Sequence, residues 1–211
     1  VLTTVTLAVL APDPVSSQTK IRARTVSKSI ATRATKEFKK DYASKDLRIR
    51  LGAVDSLTTL RHPLVARTLA RVLARDSAPK VRAAAAQRLG VQDPKHAMKP
   101  LLKAYRSTRN KAEPEVGLAV LEAWRTLGKA PSLRDLTRDW DERTKELQQS
   151  IIKTTALIRK LSVVDWLAGL MDEPRPVEVD HPHNPPASYW RKRIQRWRFW
   201  VSDVHDALES L

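Results

Sequence analysis

The chain has 211 residues, 42% of them hydrophobic and 29% charged, which is enough apolar material for one or two globular domains. It contains no Cys, which excludes disulfides, thiolate metal sites and a thiol nucleophile. Only five residues are Gly and two are Phe, no apolar run reaches the ~18 residues of a membrane-spanning helix, and the net charge of +16 suits an anionic partner without naming one.

Residues 1–11 (VLTTVTLAVLA) carry no charge, and Asp13, two prolines and Val15-Ser16-Ser17-Gln18 follow. This is the order of a secretory signal peptide with cleavage before Gln18, although the basic segment that usually precedes the apolar core is missing. Residues 1–17 are therefore expected to be either a signal peptide or a disordered tail. The first implies export to the periplasm or extracellular space, the second a cytoplasmic protein. Next, Val26, Ile30, Ala34, Phe38 and Tyr42 recur every four residues and predict a helix. Residues 18–50 hold eleven Lys or Arg against three acidic residues. Among these cations, Arg22, Arg24, Lys28, Arg33, Lys36, Lys39 and Lys40 are the candidate patch for an anionic partner; the alternative is a solvated helix face.

Four segments further on share one pattern, with small residues on one side and a large aliphatic residue at the end. They end at Leu57, Leu89, Leu127 and Leu161, which are 32, 38 and 34 residues apart. Second helices lie between them. Residues 63–75 carry Leu64, Thr68, Leu69, Val72 and Leu73, and residues 94–106 carry Met98, Leu101, Leu102 and Tyr105. Further helices are expected at 132–143 and 163–171. Pro63, Pro79, Pro94, Pro114 and Pro131 fall where helices should begin, with Asp93 as a capping residue. Gly90 and Gly128 fall where left-handed caps should end helices. Pro100 falls inside a helix and is expected to kink it.

The stretch from Asp76 to Gly90 (DSAPKVRAAAAQRLG) resembles the second half of a bacterial HEAT repeat, of the type also found in relatives of phycobilisome lyases. The shared pattern is an acidic turn residue, Val-Arg, paired alanines and Leu-Gly. Asp46 with Ile49, Arg50 and Ala53 is a looser copy, and Val120 and Thr154 stand where the third and fourth copies would carry the Arg. The resemblance covers about residues 20–172. It implies an all-α fold in which residues 18–172 form an α-solenoid of stacked antiparallel helix pairs. It also implies a structural role for Arg82 and Asp76, and for Arg50 by extension, because in the family this Arg pairs with the acidic turn residue of a neighbouring repeat.

Residues 173–188 read as a Pro-rich linker. Within it, Asp180, His181 and His183 are the best metal candidates, weighed against a solvated loop. Residues 189–211 read as an amphipathic helix rich in Trp and Arg. Its seam of Trp190, Ile194, Trp197, Val201, Val204, Leu208 and Leu211 is spaced 4, 3, 4, 3, 4, 3. Trp190, Ile194, Trp197 and Val201 are the candidate docking seam, for the solenoid itself or for helices downstream. A membrane surface is the lesser reading, because the acidic end of the helix would be repelled by anionic lipid. The pattern reaches Leu211 without a stop signal, which suggests a piece of a longer protein.

Catalytic motifs are scarce. The chain has no Gly-rich phosphate loop, no Gly-x-Ser-x-Gly and no His-Glu-x-x-His. It also lacks the His-Glu dipeptides that supply metal ligands in HEAT-repeat hydroxylases. Asp139, Asp141 and Glu142, flanked by Arg138 and Arg143, read as a solvated charge cluster, and His62 and His96 as surface residues. No catalytic residue, cofactor or metal is expected. The expectation is a non-enzymatic helical-repeat scaffold for a protein partner. The alternative is nucleic-acid binding by the basic N-terminal repeats, since HEAT-like DNA glycosylases cradle a duplex on this fold. A lyase or metal-dependent enzyme ranks third.

Overall fold

The computed structural model describes residues 23–107, 110, 112–171 and 202–209. Outside them lie the N-terminal segment 1–17, the linker with Asp180, His181 and His183, and the seam residues Trp190, Ile194, Trp197 and Val201. Most described residues are helical. The helices are α1 (Lys28–Tyr42), α2 (Leu47–Ser56), α3 (Pro63–Arg75), α4 (Pro79–Leu89), α5 (Pro94–Tyr105), α6 (Pro114–Leu127), α7 (Leu133–Leu136), α8 (Lys145–Thr155), α9 (Leu161–Met171) and α10 (202–209).

Local chemistry sets the boundaries. Ser27, Asp46, Asp93, Ser132 and Thr144 each accept a hydrogen bond from a first-turn amide, relieving donors that the helix cannot satisfy itself. His62 caps α3 in the same way through its ring nitrogen. Pro63, Pro79, Pro94 and Pro114 occupy first helical positions, where a missing N–H costs nothing.

α1 packs on α2, α3 on α4, and α5 on α6. Helices α2, α4, α6 and α8 also pack each on the next, as do α1, α3 and α5. The members of the first series start at residues 47, 79, 114 and 145, which is 32, 35 and 31 residues apart. The two series meet across one core that includes Val54, Leu57, Leu69, Leu73, Leu89, Leu101, Leu121 and Trp124. Small residues bring α4 and α6 close together. A Cβ on Gly90 would sit 2.8 Å from the Cα of Ala123.

Several expectations need correction. Residues 153–161 are not a fourth helix: α8 ends at Thr155, and Leu161 opens α9 with 82% of its surface exposed. Residues 132–143 form only the one-turn α7 and a 3₁₀ turn at Trp140–Glu142, because Asp139 takes a left-handed conformation between them. In α3 the buried stripe is Val65, Ala66, Leu69, Val72 and Leu73, so Leu64 and Thr68 lie at its edge. In α1 Ala31 is buried and Ile30 is half exposed, since a strict four-residue series drifts ~40° around the helix at each step. Pro100 lies inside α5, as the sequence places it, and the helix runs on past it to Tyr105. The all-α reading also omits a two-residue parallel bridge between Arg24–Thr25 and Leu60–Arg61.

Candidate functional site

Polar side chains join consecutive units at the turns. Asp76, in the turn between α3 and α4, accepts from Arg50 of α2 at 3.2 Å and from the Tyr42 hydroxyl of α1 at 2.6 Å. Arg82, fully buried on α4, donates to the carbonyls of Asp76 and Ser77 at 2.9 and 3.0 Å and to Asn110 Oδ1 at 3.1 Å. It also pairs with Glu113, just before α6. Each Arg thus holds its own preceding turn and an acidic residue in the next. The carboxylate of Asp76 accepts from Arg50 and its backbone carbonyl from Arg82, whose partners include Glu113 and Asn110. Burial raises the Tyr42 hydroxyl well above its ordinary pKa, and its bond to Asp76 adds to the shift, so it stays a donor. At the opposite ends of the helices, Gln92 joins adjacent loops, donating to the Leu60 carbonyl at 2.8 Å and accepting from the His62 amide at 3.2 Å.

These residues hold the fold together. The exposed chemistry lies elsewhere, on α1, α3 and α5. Arg67, Arg71 and Arg75 recur every four residues on α3, and Lys95, Lys99 and Lys103 do so on α5; all six are exposed. Neither helix contains an acidic residue. An open groove of about 430 Å³ runs between them, its rim formed by Arg67, Arg71, Arg75, Lys99 and Lys103. Ala70, Ala74 and Pro100 also line it. None of the five rim cations forms a salt bridge among the described residues, whereas Arg50, Arg82, Arg88 and Arg125 all do. Like charges four apart on a helix repel by a few tenths of a kcal/mol per pair. The four such pairs on α3 and α5 together oppose folding by about 1–2 kcal/mol.

Of the seven cations singled out in the sequence, Arg22 lies outside the described residues. Arg24, Lys28, Arg33, Lys36, Lys39 and Lys40 are exposed, the last five on α1, the helix beside α3. The sequence reading missed the cations of α3 and α5. Their four-residue recurrence on helices free of acid is a legible signal, but counting charge by segment conceals it.

The remaining candidates have structural uses. His62 accepts from the Leu64 amide at 3.1 Å and Asp93 from the Lys95 amide at 2.8 Å, so both are helix caps; they line a small 110 Å³ cavity together with Arg61, Gln92 and His96. Arg143 is not solvated; it lies 4.8 Å from the centre of the buried Tyr105 ring. Burial pushes the Tyr105 hydroxyl up to about 12, and it donates to the Leu136 carbonyl at 2.9 Å. No group of His, Asp and Glu among the described residues could hold a metal ion. No described helix is long and apolar enough to cross a membrane. On α10, Val204 and Ala207 are buried with Ile152, Val163 and Leu167, and Leu208 packs at the edge of this cluster. Asp203 accepts from Gln149 at 2.9 Å, and its carboxyl is raised by burial and lowered in part by Lys153.

No family model matches the chain, and neither a curated protein nor a solved structure matches it significantly.

Proposed function

We propose that the chain is a non-enzymatic binding module, an α-solenoid of HEAT-like antiparallel helix pairs that offers its exposed face to a macromolecular partner. The observation that carries this reading is the recurrence of packed helices every 31–35 residues, with Arg50 and Arg82 each bonded to an acidic residue of the following turn. That is the contact the HEAT resemblance implies, with the partners reassigned. Stacked units expose much surface for their mass, which suits recognition along an extended face.

The sequence alone favours a protein partner. The cation-rimmed groove favours an anionic one. The test is retention of partners from a native extract by the immobilised chain at physiological salt, with proteins and nucleic acids both identified. A discrete macromolecular partner is expected. An empty matrix would overturn the reading, as would turnover of a small molecule by the purified chain.

A further inference from the structure

We infer that the cationic face of α3 and α5, extended by α1, docks the phosphate backbone of a nucleic-acid duplex without regard to base sequence. This rests on the reading of the chain as a binding module and names its partner. Arg67, Arg71 and Arg75 are each one turn apart, a rise of about 6 Å, and neighbouring packed helices lie about 8–10 Å apart. A duplex carries a phosphate every ~3.4 Å of axis on each strand, so a cation grid of that mesh meets phosphates in any register. The Ala70, Ala74 and Pro100 lining lets a backbone approach closely. α3 and α5 carry no carboxylate to repel it.

Competing partners fit less well. Single-strand binders stack bases on exposed aromatic rings; the aromatics of α1, α3 and α5 are Phe38 and Tyr105, both buried, and Tyr42, half-buried and bonded to Asp76. A protein interface centres on a large apolar or aromatic anchor; the large exposed apolar residues Ile49, Leu161 and Val164 lie off all three helices, and Ile30 is a single such residue in the first turn of α1, away from the groove between α3 and α5. A membrane-surface helix interleaves such residues with its cations, which α3 and α5 do not. Sequence-independent binding is the expectation because the groove cations pair with phosphates, which carry no base identity.

The test measures fluorescence anisotropy of labelled DNA and RNA duplexes against the full chain over a salt series. Engagement of the five groove cations predicts a slope of about −4.5 in log affinity against log salt, or about a 500-fold loss for a fourfold rise in salt. Arg71→Gln with Lys99→Gln should lower the slope by about 2. Arg48→Gln with Lys80→Gln, exposed on α2 and α4, should leave it unchanged. Circular dichroism checks that both variants remain folded.

The inference is overturned if neither duplex binds at low salt, or if both variant pairs behave alike. It is also overturned if single strands, poly-glutamate or anionic vesicles bind more tightly than the duplexes. If duplexes fail while a native extract still yields a partner, this inference falls and the binding-module reading stands. If the extract also yields nothing, both fall.

Discussion

Arg82→Met tests whether the turn-to-turn contacts hold the units together. Met keeps most of the apolar stem and removes the guanidinium. The carbonyls of Asp76 and Ser77 and the side chain of Asn110 lose their donor, and Glu113 loses its cation. Removing one partner of a buried pair costs about 3–5 kcal/mol. The Glu113 side chain keeps 28% of its surface exposed, so water relieves part of the stranded charge and the lower end applies, about 3 kcal/mol. With a urea slope of about 2 kcal/mol per M, the unfolding midpoint should fall by about 1.5 M in far-ultraviolet circular dichroism. Adding Glu113→Gln removes the stranded charge, so the double variant should recover about 1 kcal/mol relative to the sum of the single changes. A loss below about 1 kcal/mol for Arg82→Met, or strict additivity in the cycle, would refute the reasoning.

Four other outcomes follow from named contacts. Gly90→Ala puts a Cβ 2.8 Å from the Cα of Ala123, backbone that cannot swing aside, so a loss of about 1–3 kcal/mol is expected in urea unfolding. Val204→Ala should speed amide hydrogen exchange in α9 and α10 while leaving α3 and α4 unchanged; equal effects everywhere would contradict local docking. The Asp135 carboxyl, bonded to Arg106, is held below 3.8, so its tie between α5 and α7 contributes above the ordinary carboxylate range and is lost as pH falls through the lowered value. An NMR titration midpoint for Asp135 at or above 3.8 would contradict this. Arg71→Gln with Lys99→Gln should raise stability by about 1–2 kcal/mol at low salt, since every one of the four like-charge pairs on α3 and α5 includes one of these two cations; a marked loss would make those cations structural.

What the sequence disclosed, and what it hid, follows from how locally each feature is determined. Helix starts were legible because proline and a capping side chain act within one turn: α3, α4, α5 and α6 all begin where a Pro stands. The last unit was not. Anchoring a repeat on Leu161 assumes an unbroken helix before it, whereas the chain turns at residues 156–160 and α8 buries Leu147, Gln148, Ile151 and Ile152 instead. Gly90 and Gly128 look alike in sequence and differ in cause. Gly128 adopts φ 64°, which favours Gly; Gly90 has φ −60° and is small because the backbone at Ala123 lies against it. The partners of Arg82 were hidden for another reason. Asn110 and Glu113 lie 28 and 31 residues away, between α5 and α6, in a stretch whose sequence pattern announces no contact.

The distribution of charge follows from these local facts. The fold places its carboxylates where buried or bridging arginines need them: Asp76 with Arg50, Glu113 with Arg82, Asp55 with Arg88, and Asp135 with Arg106. Three of these four arginines lie on α2 or α4, and the fourth just past the end of α5. Carboxylates used in this way cannot neutralise the outward faces of α3 and α5, which carry six cations and no acid. Repulsion among those cations opposes folding, and no contact within the described chain offsets it. A phosphate backbone would offset it: binding an anion there both gains attraction and relieves the repulsion the folded chain already carries. The same arrangement makes affinity fall steeply with salt while stability rises slightly as the repulsion is screened. Opposite salt dependences of binding and folding therefore mark a face whose charges serve a partner and not the fold.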